Sequence, residues 1–295
     1  MATLETLHAA AGAEAPAFDI RRPSAGPAGP LVFASPHSGR LYPDAMMAAS
    51  SLDRETIRRS EDVLVDDLIA AGVEHGAVII QARFARAYID VNRAATELDQ
   101  SMFEDDLPAF AQGRTARVAA GLGAIARIVA EGQEIYARKL TYAEAVERIE
   151  RVHRPYHAAL SGLLAEARAN CGLGVLVDWH SMPSAAAVGA NGRKSDIVLG
   201  DRFGAACAPA ISSLVEETLR AAGYRVSRNV PYAGGYTTEH YGKPHTGVHA
   251  LQIEISRDLY LDEMRLTPSG EYDRLKADLV RVFERLSASD WSRMR

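Results

Sequence analysis

The chain has 295 residues, 47% of them hydrophobic and 24% charged, a balance that belongs to a globular protein with a sizeable core and excludes a disordered or fibrous chain. Its formal charge is -5 and its lysines and arginines are scattered, so there is no basic footprint for nucleic acid or for an anionic membrane, and a small-molecule substrate is the expected partner. No run is apolar enough to span a bilayer, and the N-terminus lacks a basic segment followed by an apolar one, so a soluble, cytoplasmic protein is expected.

Residues 1–30 read as an N-terminal extension that ends in a linker, R-R-P-S-A-G-P-A-G-P, and a single domain is expected over 31–295. Short β-branched runs bounded by turn residues predict strands at 31–35, 77–82, 87–92, 174–180, 196–200 and 248–256. Several are apolar almost throughout, as strands covered on both faces are. A helix is expected after Ser51, with Val65, Leu68 and Ile69 on one face. The segment T-Y-A-E from Thr141 has the spacing of a capping box and predicts a helix to about Ala169, bent near Pro155. Further helices are expected over about 202–222 and 270–287, whereas 94–140 reads as loops with a hairpin. Strands alternating with helices imply an α/β/α sandwich.

In such sheets functional side chains collect where strands end. The first core strand runs into S-P-H-S-G, which puts His37 in a tight turn. The V-D-W-H-S segment puts His180 at a similar strand end, with Asp178 two residues earlier on the same face. Asp178 there either orients an imidazole or is an ordinary buried hydrogen-bonding residue. Glu61 and Asp62 open S-E-D-V-L-V-D, where acids equally suit the start of a helix. Two imidazoles and a carboxylate form the three-ligand set of catalytic zinc, with a position open for water. Glu254, set between Ile253 and Ile255, is a carboxylate in an apolar strand, where it is either a general base or the partner of an arginine such as Arg257. Y-I-D-V-N-R delivers Asp90, Asn92 and Arg93 together, and Arg93 has the fork that clamps a carboxylate.

Taken in order over about residues 31–260, the motifs S-P-H-S-G, E-D-V-L-V-D, Y-I-D-V-N-R, P-Y-H, D-W-H-S-M, G-G-Y and G-V-H-A-L-Q-I-E-I resemble those of the N-formylglutamate amidohydrolase family. That family is in turn similar to zinc carboxypeptidases and aspartoacylases. The resemblance implies a three-layer α/β/α sandwich with a mixed central sheet of the zinc carboxypeptidase type. It implies Zn2+ held by His37, Asp62 and His180, with Glu254 as general base and Asn92 and Arg93 facing the substrate. Carboxypeptidases carry their acidic ligand three residues after the first His, where this chain has Arg40, so the acid is sought at 61–62 and Asp62 is preferred to Glu61. The implied reaction is hydrolysis of N-formyl-L-glutamate, or of a similar N-acyl amino acid, to the free acid and amine. Another N-acyl amino acid or a small peptide amide as substrate, or a non-catalytic small-molecule-binding protein of the same fold, are the alternatives.

Other signals are weaker. His153 and His157 have the four-residue spacing of a zinc protease helix, but Arg154 stands where that motif needs Glu, so His157 is read as lining a pocket or packing a helix. The Gly- and aromatic-rich stretch 229–245 reads as a loop able to close over a ligand, with Tyr236 and His240 as substrate contacts. Ser181 lacks the G-x-S-x-G elbow of a serine hydrolase. Cys171 and Cys207 form no C-x-x-C pair and read as buried small hydrophobes.

Overall fold

A computed structural model of the chain describes residues 15–294 apart from 25, 112 and 189–191. Five of the predicted strands are present. They are joined by β1 (Phe18–Arg21), which lies upstream of the start expected at Leu31, and by the short β6 (Val226–Arg228). The others are β2 (Leu31–Ser35), β3 (Val78–Ala82), β4 (Gly174–Met182), β5 (Ile197–Gly200) and β7 (Val248–Ser256). They form one seven-stranded sheet in the order β1-β3-β2-β4-β7-β5-β6. The sheet is mixed: β2 is parallel to β3 and β4, β4 to β7, and β5 to β6, while β5 runs antiparallel to β7.

The helices are α1 (Asp44–Ala49), α2 (Arg54–Ile57), α3 (Val65–Leu68), α4 (Ala116–Ala119), α5 (Tyr142–Arg148), α6 (Arg154–Cys171), α7 (Pro209–Ala221), α8 (Tyr236–Tyr241) and α9 (Tyr272–Ser287). The helix expected after Ser51 is thus broken into α2, a 3-10 turn and α3. The chain is extended at Glu61 and left-handed at Leu64 (φ 63°), because Asp62 turns back to donate its N–H to the His37 carbonyl at 3.0 Å. The third expected helix starts at Pro209 and not near 202, since Arg202, Phe203 and Gly204 are all left-handed and Pro209 supplies the first-turn φ. Between α5 and α6 lies a π-helical stretch, Ile149–His153, whose wider turn takes the place of the bend expected at Pro155. The predicted strand at 87–92 is absent: the Asp90 carboxylate accepts the Asn92 N–H at 2.8 Å and closes a turn in its place.

The chain divides into two compact units, one of residues up to Asp19 with Gly39–Glu61 and Ala82–His157, the other of Ile20–Ser38, Asp62–Gln81 and Ala158–Arg295. The first consists largely of short helices and turns, and its 94–140 stretch has the antiparallel bridges Leu122–Ala126 and Ile128–Glu134 where a hairpin was expected. The second contains most of the sheet. Alternation along β4 and β7 sends Val177, Trp179, Leu251 and Ile253 into a core covered by α3, α7 and α9, where the rings of Phe33, Trp179 and Phe283 lie 5.2–5.7 Å apart. The alternate residues, Asp178, His180, Gln252 and Glu254, face the other way, toward α8. Helices on both faces of a mixed sheet make this an α/β protein with three layers. Among the described residues no helix is long and apolar enough to cross a membrane.

Thr141 and Glu144 form the expected capping box: Thr141 Oγ1 accepts the Glu144 N–H at 3.2 Å and a Glu144 carboxylate oxygen accepts the Thr141 N–H at 2.8 Å. The hydrogen bond from Arg138, aided by the cap, pulls the Glu144 carboxyl down from 4.5 to about 2. A carboxyl depressed in the folded state stabilises above its unfolded value and ceases to do so as pH falls through its folded one. The unfolding free-energy difference between wild type and Glu144→Gln is therefore expected to be full above about pH 5 and to vanish toward pH 2 in chemical denaturation; a difference independent of pH would contradict the assignment.

Candidate active site

His37 lies in the turn that follows β2, and that turn is stitched to residues 62–66. Besides the Asp62 N–H to His37 carbonyl bond, Ser38 Oγ donates to the Asp62 carbonyl at 3.2 Å and accepts the Asp66 N–H at 3.2 Å. These bonds explain why Asp62 leaves helical geometry, and the left-handed Leu64 that follows stores strain of about 1–2 kcal/mol beside the site. His180 comes from the C-terminal part of β4, where the parallel register pairs it with Glu254 on β7 and pairs Asp178 with Gln252. Paired residues in a parallel sheet share a face, so two carboxylates, an imidazole and an amide form one polar block on an otherwise apolar sheet.

Three of these groups converge. His37 Nδ1 is 3.3 Å from Asp62 Oδ2, His180 Nδ1 is 3.1 Å from the same oxygen, and the two Nδ1 atoms are 3.0 Å apart. All three residues are buried, at 1–3% exposure, so water does not screen the contact. The far nitrogen of His180, Nε2, lies 3.0 Å from Asp178 Oδ2, to which it donates, and this directs the Nδ1 lone pair at the carboxylate of Asp62. Lone pairs and a carboxylate at these separations repel unless a proton or a cation lies among them. Tetrahedral bonds of about 2.0–2.1 Å to zinc place ligand atoms about 3.3 Å apart, close to the spacings found here. The residues therefore fit a divalent metal held by His37, Asp62 and His180.

With a proton rather than a cation among these groups, the electrostatics run in the same sense. Burial alone would raise the Asp62 carboxyl, but hydrogen bonds from His180 and His37 hold it well below the ordinary range. Burial would likewise lower His180, yet the Asp178 charge, its hydrogen bond and that to Asp62 push it well above its usual value. Arg257 adds an ion pair to Asp62 Oδ1 at 3.2 Å and donates to Ser181 Oγ at 3.2 Å. The sequence suggests Arg257 only as a partner for Glu254, and nothing in its spacing signals the contacts to Asp62 and Ser181. Glu254, 8% exposed, accepts a hydrogen bond from Gln252 Nε2 at 2.8 Å. Glu61, the other acid considered, is fully buried in the first unit, where it accepts the Tyr42 hydroxyl at 2.7 Å and pairs with Arg58 at 3.3 Å; burial raises its pKa.

Tyr236 is the first residue of α8, half-buried, and stacks on the exposed His240 with centroids 5.0 Å apart. Asn92 and Arg93 belong to the first unit and occupy the turn closed by Asp90. Arg93 is 8% exposed; its Nε donates to the Leu122 carbonyl at 2.8 Å and its Nη1 to the Asn92 carbonyl at 2.7 Å, and burial lowers its pKa. The Nε2 atoms of His153 and His157 donate to the Arg93 and Val91 carbonyls at 2.8 and 2.9 Å, so they brace this turn. Cys207 is buried and its thiol is pushed up to about 12 by desolvation, whereas Cys171 is only partly buried, contrary to expectation.

Known proteins resemble this chain in sequence and in fold. The family profile of N-formylglutamate amidohydrolase matches residues 29–261. The chain is 30% identical over 238 residues to the N-formylglutamate deformylase of Pseudomonas aeruginosa, covering 79% of this chain and 83% of that protein. It is 28% identical over 237 residues to the N-formylglutamate deformylase of Pseudomonas putida, covering 79% and 82%. The crystal structure of N-formylglutamate amidohydrolase from Ralstonia eutropha JMP134 superposes with a TM-score of 0.87 at 36% identity, over 92% of this chain and 98% of that one. Ordered motifs, sheet topology and these matches together assign the chain to the N-formylglutamate amidohydrolase family.

Proposed function

We propose that this chain is a zinc-dependent amidohydrolase that cleaves N-formyl-L-glutamate to formate and glutamate, with Glu254 as general base. The observation that carries the reading is the convergence of His37 Nδ1, Asp62 Oδ2 and His180 Nδ1 within 3.3 Å, with Glu254 the register partner of His180 on the next strand. The substrate follows from the relatives named N-formylglutamate deformylase.

Bound at this site, zinc supplies Lewis acidity and lowers the pKa of water. The chain's own residues do the rest. Glu254 takes the proton from the attacking water and later returns it to the amine nitrogen as the C–N bond breaks, so that water and amide become formate and free amine. Asp178 fixes the tautomer and plane of the His180 ring through Nε2 and raises the basicity of Nδ1. Arg93, buried among carbonyls, offers a guanidinium whose charge a substrate carboxylate would offset, and Tyr236 at the head of α8 adds a further substrate contact.

Purified protein is expected to release formate from N-formyl-L-glutamate, to lose that activity on chelation and to regain it with zinc. Glu254→Gln is expected to lower kcat by about 10²–10⁴-fold with metal retained. Formate release that survives complete metal removal would contradict the metal role. Asp178→Asn is expected to weaken zinc binding by about 10–100-fold in a chelator competition titration, and unchanged affinity would show that the Asp178 contact does not tune the ligand.

A further inference from the structure

Gln252 lies two residues before Glu254 on the same face of β7 and is 4% exposed. Its amide joins two elements: Oε1 accepts the Gly235 N–H at 2.7 Å, and Nε2 donates to Glu254 Oε1 at 2.8 Å. The orientation is forced by chemistry. A carboxylate only accepts and a backbone N–H only donates, so the reversed amide would make two repulsive contacts in a buried place. The Gly235 N–H reaches Gln252 because the chain before it lies against Gly200, the antiparallel register partner of Gln252; a Cβ at 200 would stand 2.7 Å from the Ala233 carbonyl carbon and the Gly234 nitrogen. Gly235 in turn caps α8, whose first residue is Tyr236, and whose Thr237 hydroxyl donates to the same Asp178 oxygen that His180 Nε2 engages.

We propose that Gln252 is a positioning residue for Glu254: its amide holds Oε1 and so fixes the plane of the carboxylate that exchanges the proton. The amide is itself set by Gly235 at the head of the helix that carries Tyr236. Orientation of the base and seating of the substrate helix are thereby one mechanical arrangement, since displacing 233–236 would free the amide to rotate. The inference rests on the reading of Glu254 as general base. It differs from a purely architectural role, in which the amide only ties α8 to β7 and any acceptor for Gly235 would serve.

Gln252→Glu separates these roles, because its carboxyl group still accepts the Gly235 N–H, whereas toward Glu254 it replaces a neutral amide donor by an acid that shares one proton with the base. Gln252→Met, uncharged and similar in volume, removes both arms. Steady-state kinetics on N-formyl-L-glutamate with zinc-loaded protein, zinc content measured in parallel, are expected to show kcat reduced about tenfold or more in Gln252→Glu with KM within about twofold of wild type. Gln252→Met is expected to lose kcat similarly and to show a raised KM as well, since Gly235 and the Tyr236 turn lose their anchor. Either variant with kcat within about twofold of wild type would overturn the proposal, provided Glu254→Gln is inactive. An active Glu254→Gln would instead remove the premise and the proposal with it, so the two failures are told apart by that one control.

Discussion

Two imidazole nitrogens and a carboxylate oxygen are held within 3.3 Å of one another in a buried part of the protein, and the neighbouring structure is arranged around that repulsive convergence. Bringing such groups together out of water is unfavourable unless a positive charge lies among them. Asp178 and Arg257 border the convergence, one accepting from His180 and the other donating to Asp62. The broken helix at 54–68 and the left-handed Leu64 follow from the same demand, because a continuous helix would carry Asp62 away from the His37 carbonyl to which its N–H is bonded.

The sheet makes the arrangement possible. In β4 and β7 one face is hydrophobic core and the other carries Asp178, His180, Gln252 and Glu254, and the parallel register sets these residues side by side. The buried aromatic cluster of Phe33, Trp179 and Phe283 behind them anchors the strands. A shift of one residue in either strand would send its polar pair into that cluster, so packing on one face protects the geometry of the other.

Much of this was legible in the sequence. Apolar runs predict the central strands because a strand covered on both faces needs little else, and a polar residue inside such a run stands out, as Asp178, His180 and Glu254 do. Gln252 carried the same signal, two residues before Glu254, but an uncharged amide is less costly to bury and attracts less notice. The strand predicted at 87–92 failed because β-branched composition cannot register the Asp90 side chain, which bonds the Asn92 backbone and turns the chain. The helix break at 61–64 was illegible for a related reason: Val65, Leu68 and Ile69 keep helical spacing, and only the long-range bond to His37 interrupts the path. Short strands such as β6, and the edge strand β1 at the end of the segment that reads as an N-terminal extension, hold too few residues for periodicity to declare.

Whether these three residues jointly hold one divalent ion is decided by an anomalous-scattering map at the zinc edge on crystals of zinc-loaded protein. One peak is expected about 2.0–2.2 Å from His37 Nδ1, from a carboxylate oxygen of Asp62 and from His180 Nδ1. A peak at other side chains, such as His153 and His157, or a stoichiometrically loaded protein whose zinc lacks any one of those three bonds, would contradict it.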